Sequence, residues 1–497
     1  MNYVIGIDLG TSSVKTMLVD RSGNVCYEAS ESYPLIYEQS GYSEQHPEDW
    51  VEKTELALHK LLTESNVVGE AIEGISFSGQ MHGLVLLNKD GQVLRNAILW
   101  NDLRTTKQCR DIEAVLGDKL LEVAKNAALE GFTLPKLLWV KEHEPELFHQ
   151  AAIFLLPKDY LRFRMTGHIS TEYSDAAGTL LLDIVEKQWS SDICDATGID
   201  MGLCPPLVES HSFVGTLLPD FASRTGLKPT TKVFAGGADN ACGAIGAGIL
   251  SNGKTLCSIG TSGVILAYED NKQLDVSGKS HFFNHAKQDS YYAMGVTLAA
   301  GYSLQWFRDT FAPGVPFNEL LEGIDKMPIG SKGLLFTPYL VGERTPHSDA
   351  TIRASFIGMD GSHTRDHLVR SVVEGITFSL RESVDILRLA GKRIDMLISI
   401  GGGSKNETWL QMQADVFNTN VIRLESEQGP AMGAAILAAV GCGWFDSLEE
   451  CAEVFLKPAQ TYLPIPANVE RYEQLYRLYQ CIYDRTKQLC DELSCFR

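Results

Sequence analysis

One small-residue turn, with an apolar run before it and another after it, occurs twice about half a chain apart. The first copy is Asp8-Leu9-Gly10-Thr11-Ser12-Ser13-Val14-Lys15, the second Ser258-Ile259-Gly260-Thr261-Ser262-Gly263. The preceding runs, Tyr3 to Ile7 and Thr255 to Ile259, have β-strand character. Glycine lets the backbone turn tightly so that successive N–H groups converge, and the small hydroxyls add donors without blocking access. The result is a nest for an anion such as a polyphosphate. A single Gly-Thr-Ser stretch also fits an ordinary hairpin turn. Its repetition, with Asp8 closing the first strand, points to a duplicated, two-lobed protein with a nucleotide between the lobes. A carboxylate at Asp8 can hold Mg²⁺ through water beside the phosphates.

With 497 residues the chain exceeds one ordinary hydrophobic core, so two large domains are expected, divided here as 1–246 and 247–497. The 43 basic and 63 acidic residues give a net charge of −20, which argues against nucleic acid or an anionic membrane as the main partner. No apolar stretch approaches the ~20 residues of a membrane span, and no basic-then-apolar leader opens the chain. Eleven scattered cysteines without a Cys-x-x-Cys pair suit reduced thiols in a cytoplasm.

Residues 1–30 read as strand, turn, strand, and 47–64 as a helix. Glu73 to Phe77 and Leu84 to Leu87 read as strands around the loop Ser78 to Gly83; 107–127 and 135–145 read as helices. Lys232 to Ala235 is a short strand leading through Gly236-Gly237-Ala238 into a small-residue helix. The second half follows the same alternation, with strands near 255–267 and 290–296, helices near 299–311 and 366–390, then a strand at Met396 to Ile400. Gly401 to Ser404 opens a helix to about Asn418, Gly429 opens another to Val440, and a long helix spans about 468–493. Alternating strands and helices define an α/β fold. Gly248 to Thr255 matches the P-loop pattern, but a helix precedes it and a strand follows, the reverse of what that motif needs.

Asp239 follows a Gly-Gly turn and starts a helix. It reads either as a helix cap or as a base: glycines let a substrate approach, and the helix N-terminus helps keep the carboxylate ionised. Gln80-Met81-His82-Gly83 offers polar edges and a flexible apolar wall to a small polyol, or is an ordinary loop. Trp100-Asn101-Asp102-Leu103-Arg104 extends such a pocket, or is a buried Trp beside a surface ion pair. Gly401-Gly402-Gly403 lets a flat base lie against the backbone, or is a tight turn, and Gly429 with the helix after it completes that wall. His82 has no partner at metal-ligand spacing, so Mg²⁺ arrives with the nucleotide.

At these positions the chain resembles the FGGY carbohydrate kinases, a branch of the actin/hexokinase/Hsp70-like superfamily. Gly131-Phe132-Thr133-Leu134-Pro135-Lys136-Leu137-Leu138-Trp139-Val140-Lys141-Glu142-His143 is similar to one family signature. Ala354 to Met359, with His367-Leu368 and Ser371 to Glu374, is similar to the other, and the likeness runs from Tyr3 to about residue 490. Gln80 to Gly83, Ile98 to Asp102, Leu156 to Arg162, Ser174 to Thr179 and Gly342 to His347 resemble members acting on D-xylulose. The resemblance implies two actin-like (ribonuclease H-like) lobes with a nucleotide/sugar cleft between them. It implies transfer of phosphate from ATP to the C5 hydroxyl of D-xylulose, with Asp239 as base. Met81, His82, Asp239 and Asn240 would contact the sugar, with Trp100 and Asp102 beside them. Asp8 would face Mg²⁺; Gly10, Thr11, Ser12, Ser13 and Lys15, and Gly260, Thr261 and Ser262, would hold phosphates. Gly402 and Gly403 would lie near adenine. Ala238 departs from the family, where a third Gly often stands. Another sugar or polyol as substrate is the near alternative, and a non-enzymatic ATP switch the remote one. The acidic surface and long final helix permit a homodimer.

Overall fold

The duplicated turns each join the first two strands of a sheet, and the two sheets share much of their pairing pattern. The computed structural model describes residues 2–274, 278–425 and 428–496. The first sheet contains β1 (Tyr3–Leu9), β2 (Ser13–Asp20), β3 (Val25–Ser32), β4 (Ile72–Gly79), β5 (Phe213–Thr216) and β6 (Lys232–Phe234), ordered β5-β6-β4-β1-β2-β3. Gly237–Ala238 adds a short parallel pairing to the end of β4. The second contains β7 (Gly253–Ile259), β8 (Gly263–Glu269), β9 (His281–Asn284), β10 (Tyr291–Thr297), β11 (Ile394–Gly401), β12 (Asn420–Leu424) and β13 (Pro458–Tyr462), ordered β9-β10-β8-β7-β11-β12-β13.

Each sheet joins an antiparallel part, three strands in the first and four in the second, to two parallel strands and an antiparallel edge strand. β1 and β2 are buried along almost their whole length, as strands covered on both faces must be, whereas β3 alternates exposed and covered residues at an edge. The two turns close alike: Gly10 N–H donates to Ser13 O at 3.0 Å and Gly260 N–H to Ser262 O at 3.0 Å.

The helices that position the site are α1 (Pro47–Ser65), α2 (Thr133–His143), α3 (Pro157–Thr166), α4 (Asp239–Gly246), α5 (Arg365–Leu389), α6 (Glu407–Phe417), α7 (Gly429–Gly441) and α8 (Pro466–Leu493). α1 shows how the sequence sets such an element. Proline at its start has the right φ, Trp50, Thr54, Ala57, Leu58 and Leu61 fall on one buried face, and Asn66 ends it at φ 54°. Two expectations are corrected. The helix expected over 107–127 is two, Thr106–Leu116 and Asp118–Val123, because Gly117 takes φ 51° between them. Gly402–Ser404 is a short 3₁₀ turn, and α6 begins only at Glu407, capped by Asn406 Oδ1 accepting from Trp409 N–H at 2.9 Å.

α7 lies late in the chain, yet it packs on α4, β1 and β4 and so joins the two halves. The approach is backbone to backbone. A Cβ on Gly433 would stand 1.9 Å from Cys242 O, and one on Gly6 would stand 2.1 Å from Ala431 O. Alanine favours a helix interior over glycine by about 1 kcal/mol. Gly433→Ala is nevertheless expected to lower unfolding stability by about 1–3 kcal/mol, because two backbones must separate. Urea denaturation checks this; an equal or raised stability would mean that the joint relaxes freely.

Candidate active site

The strand–turn–helix around Gly236-Gly237-Ala238 places Asp239 as the first residue of α4. Ala238 N–H donates to Ser174 Oγ at 3.0 Å, and Ser174 Oγ donates to Glu172, which fixes the backbone entering the helix. Asp239 does not act as a side-chain cap for the first turn. Its Oδ1 accepts from the backbone N–H of Asn240 at 2.7 Å and from the Asn240 side-chain amide at 3.0 Å. Burial pushes its carboxyl up to about 7, the negative charge of Asp8 adds to this, and the Asn240 N–H only partly offsets both. The Asn240 N–H at the helix N-terminus favours the ionised form, as expected of it, but desolvation outweighs it. A carboxylate titrating near neutrality suits a general base.

Asp239 borders a cavity of about 240 Å³ between the two halves, with Met81, His82, Trp100 and Asn240 beside it as the sequence suggested. His82 adopts φ 69°, strained for a residue with a Cβ. It is held there because its carbonyl accepts from Lys136 Nζ at 2.9 Å and Thr133 Oγ1 at 3.1 Å, both on α2. Its Nδ1 lies 2.6 Å from Gly178 O, so Nδ1 carries the proton and Nε2 is an acceptor. Burial, reinforced by the charge of Lys136, pushes the imidazole down to about 3 and keeps it neutral. The Met81 sulfur receives the Asn240 amide at 3.7 Å.

The loop Trp100 to Arg104 is the reverse of its bland reading. Trp100 is 43% exposed and its Nε1 donates to Thr11 Oγ1 at 2.9 Å, tying the cavity rim to the first Gly-Thr-Ser turn. Asp102 is fully buried and does not line the cavity. It accepts from Ser43 N–H at 2.6 Å and from the Arg104 guanidinium at 2.8 and 2.7 Å.

On the nucleotide side, Gly10 to Ser13 and Gly260 to Ser262 form the two turns, and Gly402 and Gly403 lie between two further cavities. One, about 730 Å³, is bordered by Ser258, Arg423, Gln428 and Gly429; the other, about 500 Å³, by Gly260, Thr261 and apolar Leu304, Phe317 and Leu321. Gly429 borders the first of these cavities with Gly402, and most of α7 packs into the joint. Lys15 is already engaged, 2.9 Å from Glu28 and 2.6 Å from Gln428 Oε1, and so clips the first sheet to the second half. Asp8 is half-buried at the end of β1, with its carboxyl raised by burial. Asp8, whose charge also raises the Asp239 carboxyl, could suit a hard, water-shelled divalent cation. Among the described residues no group of three or more His, Cys, Asp or Glu could cage a metal.

Several site residues were not singled out from sequence. Lys136, buried and pushed down to about 7 by desolvation, holds the carbonyls of Gly131 and His82. His281 enters the cavity from β9, its Nδ1 3.1 Å from Asn126 Oδ1, and desolvation pushes it down to about 3. Asn126 also donates to Phe282 O at 2.8 Å, so it docks a loop of the first half onto β9. Arg344 enters the same cavity from the loop after Gly342. Behind Asp239, fully buried Lys158 lies 2.9, 3.3 and 3.0 Å from Asp159, Glu172 and Asp175, and Arg162 lies 3.0 Å from Asp159. Asp175 is pushed up to about 8 by burial.

The model for the N-terminal domain of the FGGY family of carbohydrate kinases matches residues 3–246, and that for the C-terminal domain matches 255–442. The chain is 66% identical to the xylulose kinase of Bacillus subtilis (strain 168) over 497 residues, 100% of both chains. It is similar to a ligand-bound xylulose kinase structure from Lactobacillus acidophilus, with TM-score 0.93 and 27% identity over 98% of this chain and 99% of that one. A gluconate kinase structure from the same organism gives TM-score 0.92 and 28% identity over 98% of both.

Proposed function

The chain belongs to the FGGY family of carbohydrate kinases, and from that premise we propose that it transfers the γ-phosphoryl group of ATP to the C5 hydroxyl of D-xylulose. The observation that carries the reading is Asp239: a carboxyl titrating at about 7 beside a small cavity, next to acceptors suited to hydroxyls. The identity with a xylulose kinase along the whole chain supports the sugar.

On this reading residues 1–246 hold the sugar and the base, and 247–497 hold most of the nucleotide. His82 Nε2 accepts a sugar hydroxyl proton, and Met81 and Trp100 wall the cavity. Asp239 takes the proton of the C5 hydroxyl as that oxygen attacks phosphorus. The backbone donors of Gly10 to Ser13 and Gly260 to Ser262 face the phosphate charge that develops. The purine lies against Gly402 and Gly403, in the cavity bordered by Leu304, Phe317 and Leu321. Asp8 would hold Mg²⁺ through water, and Mg²⁺ would neutralise phosphate charge when bound. Asp102 stiffens the rim through Arg104 instead of touching sugar. The reaction belongs in a cytoplasm, and among the described residues no helix is long and apolar enough to cross a membrane.

The base must be ionised to act, so kcat/KM for the sugar is expected to fall as pH drops below about 7 and to level off above it. A profile flat from about pH 5.5 to about 8 would contradict the assignment. The substrate is tested by ADP release with Mg-ATP across D-xylulose, D-ribulose, L-ribulose, L-xylulose, gluconate, glycerol and no sugar. D-xylulose should dominate. The likeness to a gluconate kinase structure makes preference for another sugar the specific alternative, and no response to any sugar would return the ATP-switch reading.

A further inference from the structure

A polyol offers hydroxyls, which both donate and accept, but a ketone oxygen only accepts. The cavity meets these needs unevenly. His82 and His281 have their Nδ1 atoms engaged, with Gly178 O and Asn126 Oδ1, and so turn acceptors toward it. The Asn240 amide is engaged with Asp239 and Met81, and the Trp100 N–H with Thr11. Arg344 differs. It is half-buried, borders the cavity, and among the described residues no hydrogen bond or ion pair reaches its guanidinium. The carboxylates of Glu343 and Glu130 lie near enough to feel its charge, but neither pairs with it.

Its backbone, in contrast, is tightly fixed. Glu343 Oε1 accepts from Arg344 N–H at 2.8 Å and Leu298 N–H at 3.0 Å, while Thr345 N–H donates to Val296 O at 3.0 Å and Thr345 Oγ1 accepts from Val296 N–H at 3.1 Å. The side chain is therefore delivered by a loop pinned to the end of β10 and left free at its tip. Arg344 lines the same cavity as Asp239, His82 and His281, and its charge acts on both histidines.

A 2-ketopentose phosphorylated at O5 must present that oxygen free. Since its furanose ring closes through O5, the reacting sugar is open-chain and its C2 ketone is exposed. We propose that Arg344 is the specificity-determining residue that donates to this ketone oxygen, so that the second half of the chain selects ketoses over polyols. The proposal rests on the function given above and adds to it a named donor for the carbonyl.

The test compares binding of D-xylulose with that of its two C2-reduced forms, xylitol and D-arabitol, by calorimetry, together with D-xylulose kinetics, for the wild type, Arg344→Gln and Arg344→Lys. Arg344→Gln should weaken D-xylulose binding about tenfold to a hundredfold, the worth of a charge-assisted hydrogen bond, and raise KM accordingly. Polyol binding, ATP affinity and melting temperature should change little, and Arg344→Lys should recover part of the loss. Equal weakening of ketose and polyols, or none, overturns the assignment. If the wild type uses D-xylulose and Arg344→Gln keeps the full ketose preference, this inference alone fails. If the wild type instead prefers a substrate without a ketone, both it and the proposed substrate fail.

Discussion

Asp239→Asn is expected to lower turnover of D-xylulose by about 10²–10⁴-fold, the usual worth of a general base. The change is nearly isosteric. An asparagine oxygen still accepts from Asn240 N–H, now at 2.7 Å, but cannot take a proton from the C5 hydroxyl. Sugar binding should change far less than turnover, because Met81, His82 and Trp100 are untouched. The same substitution has a stability signature. The carboxyl titrates at about 7 when folded, against an ordinary 3.8, so the folded chain holds a proton that the unfolded chain has released. Wild-type stability therefore falls as pH rises from about 4 to about 7 on account of this group, and Asp239→Asn removes that fall. The variant should be at least as stable as the wild type at neutral pH. Slow turnover in a destabilised protein would point to misfolding, and near-normal turnover would remove Asp239 from the base role.

The largest loss of stability is expected at Lys158→Met. With Asp175 held neutral by a carboxyl titrating at about 8, Lys158 and Arg162 face Asp159 and Glu172 in a region closed to water. Removing the lysine leaves buried Glu172 without its cation, a loss of about 3–5 kcal/mol in comparable buried pairs. The effect should reach the site. Glu172 accepts from Ser174 at 2.9 and 2.8 Å, and Ser174 Oγ receives Ala238 N–H one residue before Asp239. Lys158→Met combined with Glu172→Gln should recover part of the stability, since one stranded charge is then removed. Urea denaturation measures both variants; a Lys158→Met stability within about 1 kcal/mol of wild type would mean that water or a backbone shift replaces the ammonium.

What sequence made legible was local. The turns at Gly10 to Ser13 and Gly260 to Ser262 are written in residues that touch one another, and so is the Gly-Gly approach to Asp239. The strand and helix order follows from apolar periodicity, which is why the reversed setting of Gly248 to Thr255 excluded a P-loop. What remained hidden depends on partners distant in the chain. His281 meets Asn126 across 155 residues, and Lys15 meets Gln428 across 413. Asp102 was expected beside the sugar with Trp100, or at the surface with Arg104, and is neither, because nothing local records that the Ser43 N–H meets its carboxylate in the interior. The raised pKa of Asp239 was hidden for the same reason: the helix N-terminus is visible in the sequence, whereas the depth of burial that outweighs it is not.

Whether Asp239 directs the γ-phosphoryl group to the C5 hydroxyl of D-xylulose can be read from the product itself, by phosphorus–proton correlation NMR. The expected spectrum is that of a single sugar monophosphate, its phosphorus coupled to the C5 methylene protons, formed by the wild type and not detectably by Asp239→Asn over the same time. A phosphate at C1, free phosphate without a sugar ester, or the same product formed equally fast by Asp239→Asn would contradict it.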